Sequence, residues 1–141
     1  MRQLYAVIDT NVLVSALYAK NPDSATFQVI EKIFAREIIP MYNDEILQEY
    51  GEVLRRPKFS FLEEDIKSLI ESITDIGQNS WRAAVLDNVS DPKDAVFYEV
   101  AMSRDDSYLV TGNIKHFPKV QMVVTPREIL DLLSRTLKEA E

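Results

Sequence analysis

Short runs of β-branched and aromatic residues alternate along this chain with longer segments of helical periodicity. That alternation is the strongest limit on its fold. Leu4-Tyr5-Ala6-Val7-Ile8 reads as a buried strand, Ile38-Ile39-Pro40-Met41-Tyr42 as a second, Tyr108-Leu109-Val110-Thr111 as a third and Met122-Val123-Val124 as a fourth. Pro40 marks a strand end or an edge position. Arg82 to Leu86 adds a short extended piece. Val12 to Leu17 is apolar almost all round and predicts a buried helix, broken at Asn21-Pro22-Asp23. Ser24 caps a helix with the stripe Phe27, Ile30, Ile33, Phe34. Asn43 caps another that carries Ile46, Leu47, Tyr50, Val53 and Leu54 and stops before Pro57. Glu63 to Ile76 repeats the pattern on Ile66, Leu69, Ile70 and Ile73, with Gly77 as its C-terminal glycine. Asp91-Pro92-Lys93-Asp94 opens a helix that runs to Met102, and Thr125-Pro126-Arg127-Glu128 is a capping box for the last one. This order predicts an α/β fold with a largely parallel sheet and right-handed crossovers. Ligands then gather at the carboxyl ends of the strands.

Composition removes several classes of function. The 141 residues suit a single domain spanning 1–141, and a 46 % hydrophobic share is enough for a packed core. Sixteen Lys and Arg against 23 Asp and Glu give a net charge of −7. A protein that coats DNA by neutralising its phosphates needs the opposite balance. Cysteine is absent, which excludes disulfides, thiolate metal sites and Cys nucleophiles. The single histidine, His116, excludes multi-His metal centres and argues against a Ser-His-Asp triad. The stretch after Met1-Arg2 is too short for a secretory signal and carries Asp9 and Asn11. No apolar run approaches the roughly 20 residues of a membrane span. A cytoplasmic protein with no membrane partner is expected.

Polar residues at the strand ends carry the chemistry. Asp9 follows the first strand directly, and Thr111-Gly112-Asn113 follows the Tyr108–Thr111 strand. Asp91 and Asp94 lie at a helix N-terminus that faces the same end of the sheet. On the helix after Asn43, at about 100° per residue, Glu49 falls on the border of the apolar face, whereas Glu45, Gln48 and Glu52 point outward. Asp9, Glu49 and Asp94 therefore have a route to one cleft. Their repulsion calls for protons or a cation, and hard oxygen ligands suit Mg²⁺ or Mn²⁺. A carboxylate-held divalent ion activates water and stabilises a phosphodiester transition state.

Each residue also has a plainer role. Asp9 can cap the first helix, Asp94 can pair with Asp91 in capping the later one, and Glu49 can be a solvated helix residue. Asn113 suits a turn after Gly112, and His116 a surface loop. Arg55-Arg56-Pro57-Lys58 and Lys115-His116-Phe117-Pro118-Lys119 are either solvated faces or phosphate contacts. Phe59, Phe61 and Trp81 belong to an interface or to the core.

Four motifs together resemble those of PIN-domain ribonucleases. They are Val7-Ile8-Asp9-Thr10-Asn11-Val12-Leu13, Glu45 to Tyr50 with the following Val53 to Phe59, Asp91-Pro92-Lys93-Asp94, and Leu109 to Phe117. The similarity runs from about Tyr5 to Leu132 and is nearest to bacterial and archaeal toxins of toxin–antitoxin pairs. It implies a PIN-like three-layer α/β/α sandwich, an acidic pocket, and Mg²⁺- or Mn²⁺-dependent cleavage of single-stranded RNA. It carries metal binding onto Asp9, Glu49 and Asp94, with Thr111 bonding into the site and Asn113 helping to orient water. It also implies a homodimer and a protein antitoxin that blocks the pocket. Many PIN domains have Asp where this chain has Asn113, which weakens attraction for a second cation; Asp91, and secondarily Asn11, stand nearby. Arg55, Arg56 and Lys115 are the candidate RNA contacts.

Two rival classes remain at this level. One is a PIN-like module that holds RNA or protein without cutting, favoured by Asn113. The other is an aspartyl phosphoacceptor or phosphatase. Against it, no acidic pair precedes the first strand, and Asn11 occupies the place where such phosphatases carry a second Asp.

Overall fold

A computed structural model of the chain describes residues 3–140, with side chains through residue 135. Met1, Arg2 and Glu141 lie outside the described residues. The strands are β1 (Leu4–Ile8), β2 (Ile38–Tyr42), β3 (Gln78–Asn79), β4 (Ser107–Val110) and β5 (Val123–Val124). The helices are α1 (Thr10–Ala19), α2 (Ala25–Phe34), α3 (Asp44–Leu54), α4 (Glu63–Ile76), α5 (Pro92–Ala101) and α6 (Pro126–Ala140). All strand pairs are parallel, in the order β3-β2-β1-β4-β5. Helices cover both faces, giving the three-layer α/β/α sandwich. Helix α5 packs across β1 and β4, α2 and α4 pack on β2, and α6 returns to α2. No described helix is long and apolar enough to cross a membrane.

Local signals set the element ends. Asn43 Oδ1 accepts from the Ile46 N–H at 2.9 Å, and Ser24 caps α2 in the same manner. The capping box of α6 is reciprocal: Thr125 N–H donates to Glu128 Oε1 at 2.9 Å, and Glu128 N–H to Thr125 Oγ1 at 3.2 Å. The buried stripe of α2 is Val29, Ile30 and Ile33, whereas Phe34 is half exposed. Val29 and Ile33 are four apart and share a face that Phe34 overshoots.

Two expectations about the sheet need correction, and one about a helix end needs a different physical reason. Pro40 is neither at a strand end nor on an edge strand, because β2 lies between β1 and β3. Its tolerance is a matter of phase. Leu4 N–H donates to the Glu37 carbonyl and Ser80 N–H to the Tyr42 carbonyl. Odd-numbered residues of β2 thus face β1, and Pro40 turns its nitrogen to the other side. There β3 begins only opposite Met41, so no ladder bond is lost. The third strand, in turn, is Gln78–Asn79 and not Arg82 to Leu86. Its neighbour β2 ends at Tyr42, so the chain beyond Ser80 has no ladder to extend. Finally, Gly77 closes α4 without a left-handed turn, at φ −82°. A Cβ there would lie 2.3 Å from the Pro40 carbonyl oxygen and 2.4 Å from that of Ile73. Close backbone approach requires this glycine, not a positive φ.

Val7, Ile8, Leu109 and Val110 are fully buried at the centre of the core. The chain travels outward from β1 to β2 and β3, then resumes on the other side at β4. The switch in direction falls between β1 and β4, where a parallel sheet opens a crevice at its carboxyl edge.

Candidate functional site

Asp9 and Thr111 stand at that crevice, each directly after its strand. The Asp9 N–H donates to the Val110 carbonyl at 2.9 Å, which continues the β1–β4 ladder by one step. Asp9, Thr10 and Thr111 are all buried, a concentration of polar side chains at the sheet's carboxyl end. Asp9 occupies the N-cap position of α1, yet its side chain makes no capping bond. Its Oδ2 instead accepts from Thr111 Oγ1 at 2.7 Å and from Asn11 Nδ2 at 3.1 Å. Asn11 Oδ1 accepts from Gly112 N–H at 3.1 Å, and Thr111 Oγ1 accepts from Asn113 N–H at 2.9 Å. Two of these bonds, Thr111 to Asp9 and Gly112 to Asn11, tie the start of α1 to the loop after β4, and the other two brace each segment internally.

Glu49 comes from α3. Its neighbour Tyr50 is fully buried and donates its hydroxyl to the Ile8 carbonyl, pinning α3 to the end of β1. Burial, with the fields of Asp9 and Glu49, pushes the Tyr50 hydroxyl well above its ordinary range, so it stays a donor. One position earlier, Glu49 is half-buried and its Oε2 accepts from Thr10 Oγ1 at 3.4 Å. Glu45, Gln48 and Glu52 are exposed, as the helical phase requires.

Asp91 and Asp94 separate in role at the start of α5. Asp91 is the cap, with Oδ1 accepting from Lys93 N–H at 2.9 Å. Asp94 is half-buried, and its Oδ2 lies 3.5 Å from His116 Nδ1.

Asp9, Glu49, Asp91, Asp94, Asn11 and Asn113 all line one cleft of about 590 Å³. Thr111 supports it from behind through Asp9. Burial raises the Asp9 pKa first; the Thr111 bond opposes this, and repulsion from Asp94 and Glu49 adds to it. The Asp94 pKa is also raised, by burial and then by Asp91, against the pull of His116. Among the described residues, no Lys or Arg forms an ion pair with Asp9, Glu49 or Asp94. The carboxylates thus share one cleft with no direct Lys or Arg partner, an all-oxygen donor set of the kind that suits a hard divalent ion. Among the described residues no three His, Asp or Glu groups form a ready-made cage. Water bridges or small side-chain rotations are needed to complete one.

The basic candidates divide. Arg56 lines the cleft, together with Lys93. Arg55 is clamped by Glu63 through Nε–Oε1 and Nη2–Oε2, both at 2.8 Å, and borders a different concavity. Lys115 is exposed and stands outside the cleft's lining.

Sequence reasoning missed Thr10, Lys93, Tyr18 and Phe59 as cleft residues, and it left His116 as a plain loop residue. Thr10 and Lys93 are next to Asp9 and Asp94 in sequence, which was the available signal. The approach of His116 to Asp94 depends on a short 3₁₀ turn, Ile114–His116, that the sequence does not mark.

A family model for the PIN domain matches residues 5–115. The match starts where the motif resemblance starts and stops short of Leu132. No curated protein and no solved structure matches the chain. The matched span contains every residue that lines the cleft except His116, from Asp9 after β1 to Asn113 after β4, on an all-parallel sheet: the chain belongs to the PIN-domain family.

Proposed function

We propose that this PIN domain is a metal-dependent endoribonuclease that cuts single-stranded RNA, and that it serves as the toxin of a toxin–antitoxin pair in the cytoplasm. The observation that carries the catalytic part is the set of three carboxylates, Asp9, Glu49 and Asp94, that share one cleft and, among the described residues, form no ion pair with a Lys or Arg. PIN domains are in general nucleases, and nuclease chemistry in an acidic cleft requires a cation between protein and phosphate.

Asp9, Glu49 and Asp94 would hold one Mg²⁺ or Mn²⁺, and Asn113 leaves the site one charge short for a second. When bound, such an ion polarises the phosphoryl group and lowers the pKa of water. Thr111 and Asn11 hold Asp9 through hydrogen bonds to one oxygen of its carboxylate, which leaves the other for a ligand. Thr10 does the same for Glu49. Asn113 offers an amide carbonyl to orient water. Arg56 and Lys93 take the charge of the RNA backbone at the cleft margin. In the hydrolysis, the water oxygen bonds to phosphorus, the bond to the leaving ribose oxygen breaks, and that oxygen takes up a proton.

A homodimer and a separate antitoxin that covers the cleft complete the reading. Both rest on the motif resemblance alone.

The test is cleavage of an end-labelled single-stranded RNA in Mn²⁺, in Mg²⁺ and in EDTA, with wild type and Asp9→Asn purified side by side. Cleavage that needs metal and is lost in Asp9→Asn supports the nuclease. Equal behaviour of the two proteins removes it. A second reading, a PIN module that binds without cutting, is favoured by Asn113 and by the lack of a ready-made cage. Calorimetry separates the two, since a pure binding module has no need to take up Mn²⁺ at these carboxylates.

A further inference from the structure

Beside the acidic cleft lies a group of aromatic rings that the proposed chemistry does not use. Tyr18 is in the last turns of α1, Phe59 ends the 3₁₀ turn Pro57–Phe59, and Phe61 follows two residues later. Phe59 and Phe61 are stacked, with centroids 5.4 Å apart and planes at 13°. Tyr18 meets both edge-on, at 5.6 Å and 5.3 Å. The pairing holds the rings in fixed orientations. Tyr18 nevertheless remains 60 % exposed. Tyr18 and Phe59 line the same cleft as Asp9, Glu49 and Asp94.

Cations flank these rings. Arg56 lines the cleft that holds both the carboxylates and Tyr18 and Phe59, and Lys58 Nζ stands 5.1 Å from the Phe59 centroid. Tyr18 is tied to the same segment, its hydroxyl donating to the Lys58 carbonyl at 3.5 Å. A single nucleic-acid strand presents phosphates and flat bases in alternation, and proteins that hold one combine basic side chains with stacking platforms. A duplex keeps its bases stacked on each other and has no free face to offer. A fixed, exposed aromatic edge opening into a phosphate-directed cleft matches the first and not the second.

We propose that Tyr18, braced by Phe59 and Phe61, forms a stacking wall for one unpaired base next to the scissile phosphate, with Arg56 and Lys58 holding the adjoining backbone. These are positioning residues, and they restrict the enzyme to unpaired RNA. The proposal rests on the nuclease reading for its substrate, but it is tested by binding.

The probe is a single-stranded RNA oligomer with 2-aminopurine at successive positions, whose fluorescence falls when the base stacks. It is titrated with the full chain in Ca²⁺, and cleavage is followed separately in Mn²⁺. Wild type is expected to quench the probe at one position and to bind the duplex form far more weakly. Tyr18→Ala should weaken binding by roughly tenfold and abolish the quench, on the scale of one lost base–aromatic stack. Tyr18→Phe should keep both, since it loses only the long bond to Lys58. Tyr18→Leu should keep the melting temperature but not the quench, which separates stacking from a purely structural role. In Mn²⁺ the loss in Tyr18→Ala should appear mainly in KM. Wild-type quenching retained in Tyr18→Ala, or no quenching by wild type at any position, overturns the wall. Cleavage that proceeds with no dependence on Tyr18 leaves the nuclease standing without it. Quenching without cleavage in any metal retains the wall and removes the nuclease.

Discussion

The Thr111 hydroxyl donates to Asp9 Oδ2 across 2.7 Å, a bond between residues 102 positions apart in sequence. Thr111 is fully buried and also accepts from the Asn113 N–H, so one hydroxyl orients the carboxylate and the loop after β4 together. Thr111→Val keeps the shape and removes both bonds. It should cost about 1–3 kcal/mol of stability, the scale of unpaired buried polar groups. The lost donor favoured the charged form of Asp9, so its pKa moves further up. The acid limb of the cleavage pH profile should therefore shift to higher pH. Thr111→Ser should restore both stability and profile. Urea unfolding and pH-dependent single-turnover cleavage read the two effects.

Asp9 and Asp94 hold their protons more tightly in the fold than an ordinary carboxyl does, mainly through burial. Between the ordinary value of 3.8 and the raised folded value, the native state binds more protons than the unfolded chain. Stability of the metal-free protein therefore falls as pH rises through that window. Asp9→Asn removes its share of the loss. In EDTA at pH 7 the variant should melt above wild type, and the difference should close as pH falls below 3.8. Mn²⁺ should reverse the order, adding about 2.7 kcal/mol to wild type at 100 times its dissociation constant and little to the variant. Thermal melts across pH, with and without Mn²⁺, test this. A wild type more stable than Asp9→Asn in EDTA at pH 7 would contradict it.

Arg55 and Arg56 are neighbours in sequence with opposite surroundings. Arg55 is committed to Glu63, whereas Arg56 lines the cleft. Arg56→Ala should weaken single-stranded RNA binding and reduce the slope of log affinity against log salt by about 0.7, one phosphate contact. Arg55→Ala should leave both nearly unchanged and cost little stability, as exposed ion pairs do. Fluorescence anisotropy at several salt concentrations distinguishes them. The same slope for both variants would mean that Arg56 does not meet a phosphate.

Gly77→Ala tests the packing of α4 against β2. The added Cβ meets two backbone oxygens within 2.4 Å, and neither can move without shifting an element. A loss of about 1–3 kcal/mol is expected from such overpacking. It should appear as a lower urea midpoint with unchanged slope. A neutral result would show that α4 and the Pro40 segment are free to separate.

Residues whose role follows from local phase were legible before the fold was known. Asp9 was found because it follows a buried strand, and Glu49 because it borders the apolar face of an amphipathic helix. Asn43, Ser24 and the Thr125–Glu128 pair announced their helices through side-chain chemistry alone. What stayed hidden depends on contacts between distant segments. The two residues of β3 are a strand only because Met41 and Tyr42 lie beside them. Phe34 fits a stripe on paper, yet the neighbours of α2 leave it at the margin. The meeting of Tyr18 with Phe59 joins positions 41 apart in sequence across a turn that Pro57 starts. Gly77 does end α4, but sequence cannot reveal which carbonyls its missing side chain would strike.

The order of the strands has a consequence for a chain still being made. Asp9 is synthesised 102 residues before Thr111, and β1 meets β4 only after Val110 has followed. Until then Asp9 has no Thr111 to fix it, and Asp94, if already synthesised, has no closed sheet to hold it opposite. A ribosome-bound fragment therefore carries the first motif without a working centre. The cleft that the proposed nuclease would use is therefore closed only when almost the whole matched span has emerged.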